Sequence, residues 1–154
     1  MGIVTETIEV DVPISVAYNQ WTQFEEFPQF MDGIESVTQV DDTHLHWVAF
    51  IAGVRREWTA LITEQVPDKR IAWTTTEGAT NSGLVTFDPI GPASTRVALT
   101  LEFEPAGVVE NVADKVGVVE GTARADLERF REFITARGAA TGAWRREVHG
   151  GFIR

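Results

Sequence analysis

From Val109 onward, apolar residues recur at intervals of three and four: Val109, Val112, Val116, Val119, Ala123, Leu127, Phe130 and Ile134. That spacing lays one apolar stripe along about seven turns of α-helix. It predicts a long C-terminal helix over roughly Val108–Arg137, closed by a basic last turn and by Gly138 as cap. A helix with a single apolar face needs a surface to cover it. Only the residues before it supply one.

Those residues read as strands. Val4, Ile8, Val10 and Val12 alternate with Thr5, Thr7, Glu9 and Asp11, with Glu6 the one charged intruder on the apolar side. Pro13 stops that strand and suits the first turn of a helix, where Ile14, Ala17, Tyr18 and Trp21 follow at helical spacing. Phe24–Met31 reads as a second short helix or turn, ended by Gly33. The pattern then predicts strands over Ile34–Val40, His44–Ile51, Arg55–Val66, Lys69–Thr75, Asn81–Asp88 and Thr95–Glu104, joined at Asp41-Asp42, Ala52-Gly53, Pro67-Asp68, Gly78 and Pro89–Pro92. Short connections between consecutive strands imply an antiparallel meander. The expectation is an α+β chain: about seven strands in a curved antiparallel sheet around the long helix, with two short helices after the first strand. Residues 1–138 form the ligand-binding domain in this reading, and residues 139–154 a flexible tail.

Composition removes several functions. The formal charge of −10 argues against nucleic acid and anionic membranes as partners. Without cysteine there is no disulfide, thiolate metal site or Cys nucleophile. No stretch approaches the roughly 20 apolar residues of a membrane span, and Glu6, Glu9 and Asp11 interrupt any signal peptide. A cytoplasmic protein, monomeric or homodimeric and without cofactor, is expected.

Several segments carry a family resemblance. They are Pro13 with the following Val-Ala-Tyr-Asn-Gln-Trp, Phe27-Pro28-Gln29-Phe30-Met31, Ile51-Ala52-Gly53 to Glu57-Trp58, Pro67 to Trp73, and Asp126-Leu127-Glu128-Arg129-Phe130. Over residues 3–137 the chain resembles the SRPBCC superfamily of START lipid-transfer and pollen-allergen-like proteins. Within it, the chain is most similar to the polyketide cyclase/dehydrase and coenzyme Q-binding-like group. The resemblance implies a helix-grip fold, with a cavity between concave sheet and helix that takes lipids, sterols, quinones or polyketides. Some relatives cyclise or dehydrate there.

Candidate ligand contacts follow. Trp58 and Trp73 provide flat walls if they face inward with Ile62 and Ile71, while Trp21, Phe27, Phe30 and Met31 close one end. The bland alternative is that these aromatics simply fill a core. Arg56 shares the face of Trp58, where a guanidinium holds a carboxylate or polarises a carbonyl. Thr75 and Asn81 are neutral neighbours, and Val116 lies on the helix stripe with Glu120 at its border. An Arg56–Glu120 pair is the candidate catalytic arrangement; an exposed Arg and a helix-flank Glu are the alternative.

His44 and His46 share a strand face, but Leu45 and Trp47 take the apolar side, so no metal site is expected. Gly117 and Gly121 each cost about 1 kcal/mol against Ala inside a helix and lie off the stripe, suggesting a bend. Three functions remain: carriage of a bulky apolar small molecule, polyketide cyclisation or dehydration in the same cavity, or a protein-interaction module.

Overall fold

The computed structural model describes residues 2–51, 54–77, 81–103 and 112–153. Strand β1 (Gly2–Val10) is followed by helix α1 (Ile14–Trp21) and a 3-10 helix (Phe24–Gln29). Six strands come next: β2 (Ile34–Asp41), β3 (His44–Ile51), β4 (Val54–Val66), β5 (Arg70–Glu77), β6 (Asn81–Gly91) and β7 (Ser94–Phe103). Helix α2 runs from Val112 to Arg137. The predicted helix start at Val108, and Glu104 at the end of the last predicted strand, lie outside the described residues.

The strands order as β1-β7-β6-β5-β4-β3-β2, every neighbour antiparallel. The meander read from the alternation is therefore present, and β1 closes it beside β7. Along α2 the predicted stripe is buried at Ala123, Leu127, Phe130 and Ile134. Among the described residues, no helix is long and apolar enough to cross a membrane.

One end of the sheet is closed by aromatic packing. Trp21 of α1 sits 4.9 Å from Phe130 and 5.6 Å from Phe27, ring centre to ring centre, and Phe30 sits 5.2 Å from Phe130. These edge-on contacts add about 0.5–1.5 kcal/mol per pair beyond area burial. They join α1, the 3-10 helix and α2 into one plug. Asp126 reinforces it, accepting a hydrogen bond from the Asp32 backbone N–H (3.2 Å) and pairing with Arg129 (3.4 Å). Burial pushes the Asp126 carboxyl up to about 7.

Glu6, the intruder in β1, is explained by a partner on α2. It stands opposite Leu99 on the inner face, with only 14% of its side chain exposed. Arg124 donates to its Oε1 at 3.0 Å. Helical spacing places Arg124 beside the stripe residues Ala123 and Leu127, and so against the sheet.

Of residues 139–154, expected as a flexible tail, those described, 139–153, return to the domain. Val148–His149 (β8) pairs with Glu64 and Gln65 of β4, and Phe152–Ile153 (β9) pairs back onto β8. Val148 is fully buried. The physical reason is an open edge. Strand β4 is longer than its neighbour β3, which pairs only with Val54–Leu61. The rest of the β4 edge is free to take another strand.

Candidate functional site

Inner-face positions recur at every second residue along each strand. Across the sheet they show a consistent gradient. Ile62 in β4, Ile71 in β5, Val85 in β6 and Val97 in β7 are all 0% exposed. Four residues along β4, β5 and β7 toward the opposite end, burial falls: Trp58, Thr75 and Leu101 are half-buried. Arg56, six residues from Ile62, is exposed. Among the described residues, the inner face is therefore most buried beside the aromatic plug and less so toward the other end.

Two flat apolar side chains stand on the inner face toward that end, the half-buried Trp58 and the largely buried Trp73, 9% exposed. Trp58 stacks on its cross-strand partner Trp47, with ring centres 5.7 Å apart and planes 10° apart. Although the Trp58 side chain is partly accessible, its indole nitrogen is covered. It presents carbon surface and not its polar edge. Trp73 faces Gly83 of β6 directly, and a Cβ on Gly83 would fall within the Trp73 indole. The missing side chain at 83 lets the indole lie across the β6 backbone. Leu101, paired with Gly83 on the other side, continues the wall. Gly83 and Leu101 were not singled out from sequence. A lone Gly within a strand pattern, which marks close approach of another group, was the available signal for the first.

The remaining candidates divide into two groups. Trp21, Phe27 and Phe30 are each 1% exposed and belong to the plug, so neighbouring rings cover their faces. Met31 is nearly as buried beside them. Thr75 lies opposite Ala60 at the less buried end. Asn81 begins β6 opposite Phe103, but its side chain lies outside the described residues, as does that of Val116. Arg56 stands opposite Ala49 with no ion pair recorded among the described residues. Glu120 is half exposed and pairs with Arg124 at 3.5 Å. The structure therefore does not bring Arg56 and Glu120 together. Glu120 answers to its helix neighbour four residues on, the ordinary geometry for such a pair.

Other acid–base groups are placed elsewhere. Tyr18, the sole phenol, is fully buried against Phe87. Desolvation pushes its pKa up to about 12. Phe87 lies four residues along β6 from Gly83, about 13 Å at strand rise. His44 is engaged by Asp41 (2.9 Å), and His46 by Glu57 (3.1 Å), both on the outer face. Among the described residues, no group of three metal-ligating side chains forms. Two surface clefts of about 350 and 600 Å³ lie away from the Trp58–Trp73 wall, along the β1–α2 seam and beside Ile14 and Phe87.

A family model for polyketide cyclase / dehydrase and lipid transport matches residues 10–132. An uncharacterised 17.2 kDa protein of Streptomyces lincolnensis is 52% identical over 149 residues, covering 96% of this chain and 99% of that protein. The crystal structure of DR_A0006 from Deinococcus radiodurans is 26% identical with a TM-score of 0.70, covering 88% of this chain and 98% of that one. The Zhui aromatase/cyclase from Streptomyces sp. R1128 superposes with a TM-score of 0.75 at 19% identity, over 92% of this chain and 98% of its own. That last likeness is one of fold.

Proposed function

The chain belongs to the polyketide cyclase/dehydrase and lipid transport family, and from that premise we propose that it binds a bulky apolar small molecule against the less buried end of the sheet's inner face. The family supports a ligand-binding or cyclase role, and the side chains at that end favour binding. The observation that carries this reading is the burial gradient. Inner-face side chains are sealed at Ile62, Ile71 and Val85 but accessible at Trp58, Thr75 and Leu101. A flat or chain-like molecule laid there gains roughly 25 cal/mol per Å² of apolar surface removed from water. A lipid, quinone or polyketide-like compound has that shape.

Carriage is favoured over catalysis because general acid–base chemistry needs a proton donor or acceptor within about 3 Å of the reacting group. Tyr18 is locked in the far end as a neutral phenol, and Glu120 is held by Arg124 on the helix flank. Arg56 at the rim supports a secondary role as an anchor for a carboxylate or carbonyl on the ligand. Native mass spectrometry of the purified chain, followed by organic extraction, tests the reading. A bound apolar compound supports it; a protein that stays empty and takes up neither fatty acid nor naphthoquinone refutes it. Cyclase activity is the alternative, and loss of turnover of a poly-β-ketone substrate in Arg56→Ala would favour it.

A further inference from the structure

The C-terminal tail is held by a surface that has the properties of a peptide receptor. Arg145 is gripped three ways. Its guanidinium donates to Asp68 Oδ2 at 2.8 Å and Asn19 Oδ1 at 2.6 Å, and lies 5.5 Å above the centre of the Tyr18 ring. Asp68 is positioned for this by a left-handed backbone, φ 62°, the one non-glycine residue recorded there among those described. Such a conformation costs about 1 kcal/mol or more.

Four residues earlier, Thr141 makes a reciprocal pair with the fully buried Gln20. The Thr141 N–H donates to Gln20 Oε1 at 2.8 Å, and Gln20 Nε2 donates to Thr141 Oγ1 at 3.1 Å. Between them Gly142 fits so closely that a Cβ would meet the Gln23 carboxamide at 2.5 Å. Three residues past Arg145, Val148 adds a strand to the free β4 edge opposite Gln65. Strand addition of this kind takes affinity from the main chain and specificity from side-chain notches.

These contacts fall on α1 and Gln23 just after it, on β4 and on the β4–β5 turn. The tail is tethered to a different element, α2, through Gly138 at φ 68° and the small residues Ala139 and Ala140. Charge favours the docking as well. Residues 139–154 carry a formal +2, leaving −12 on the rest of the chain. Nothing in the receptor depends on which copy the tail comes from.

We propose that this surface is a peptide-docking site filled in cis by the chain's own tail, and that it takes the tail of a second copy in trans to give a reciprocally exchanged dimer. In cis, tethering sets an effective concentration in the millimolar range, so the monomer dominates in dilute solution. Exchange gives a closed two-fold assembly, each tail in its partner's site.

The test uses the full chain with its anchors removed, Arg145→Asp with Val148→Asp, and a fluorescent synthetic peptide of residues 139–154. Anisotropy should show saturable binding to this variant, at least tenfold tighter than to the wild-type chain, whose site is occupied. A peptide carrying Arg145→Ala should bind the variant at least tenfold more weakly. Equal binding to variant and wild type, or indifference to the peptide's arginine, overturns the docking site. Circular dichroism establishes that the variant is folded. Sedimentation of the wild-type chain up to millimolar concentration reads the exchange without relying on that variant. A dimer that grows with concentration is expected, and a monomer throughout overturns the exchange.

Discussion

The Trp73 indole lies across the backbone of Gly83, its direct partner on the neighbouring strand, in space that any side chain at position 83 would occupy. This relationship shapes the wall on which the functional reading rests. Gly83→Ala forces the indole from its site or spreads the β5–β6 pair. Overpacking of this kind costs about 1–3 kcal/mol, read by urea unfolding, together with a changed near-ultraviolet Trp signal. An unchanged midpoint and signal would mean that Trp73 lies elsewhere.

The Glu6–Arg124 pair ties β1 to α2, its carboxylate mostly buried and its guanidinium 61% exposed. Arg124→Ala removes the partner of the Glu6 carboxylate and, because the guanidinium is largely exposed, should destabilise by about 0.5–1 kcal/mol. Replacing both residues by Leu continues the apolar faces of Val4, Ile8 and Leu127, and should recover most of that loss. The three variants compared by chemical denaturation test whether the pair serves chiefly to satisfy a buried charge.

Asp126 makes stability depend on pH. Its folded pKa, raised to about 7 by burial, stands above the value for an unfolded chain, near 3.9. The folded state therefore binds more protons in between, and stability falls as pH rises from about 4 through 7. Asp126→Asn keeps an acceptor for the Asp32 N–H but has no charge to bury. It should gain about 1–2 kcal/mol over wild type at pH 8 and little at pH 4. Asp41, held down at about 2 by the Thr43 backbone N–H and by His44, titrates in a separate window. Its contribution is lost only as pH falls from about 4 toward 2.

Gly121 sits inside α2 with open space where a side chain would be. Neither close packing nor a positive φ requires glycine there. Gly121→Ala should raise stability by about 0.5–1 kcal/mol, measured as an upward shift in Tm. A loss would reveal an approach to this helix face that the isolated chain does not make.

The fold was legible because the alternation in Ile34–Val66 and Thr95–Phe103 and the stripe through Ala123–Ile134 each bury one face, and burial is what periodicity records. The proposed site was legible only where a residue's neighbours lie on adjacent strands. Alternation puts Trp58 and Trp73 on the inner face, the wall proposed for the ligand. Trp21, Phe27 and Phe30 have the same composition signal, but rings distant in sequence cover them, Phe87 and Phe130 over Trp21, Trp47 over Phe27, and Phe130 and Phe133 over Phe30, so periodicity cannot tell a plug from a wall. Glu6 looked anomalous until Arg124 arrived from the other end of the chain. The docking of the tail was illegible for a similar reason. Its anchors Gln20, Asp68 and Gln65 lie in three separate elements, and their convergence is a property of the folded sheet.

The five Trp indole N–H resonances allow ligand binding at the inner face to be read residue by residue. Nitrogen-15 labelled protein is titrated with 1,4-naphthoquinone as a flat apolar probe, and each indole shift is followed. Trp58 and Trp73 should move together and saturate, while Trp21 in the sealed plug stays in place. Shifts confined to Trp21 or Trp144, or no saturable shift at Trp58 and Trp73, would contradict binding there.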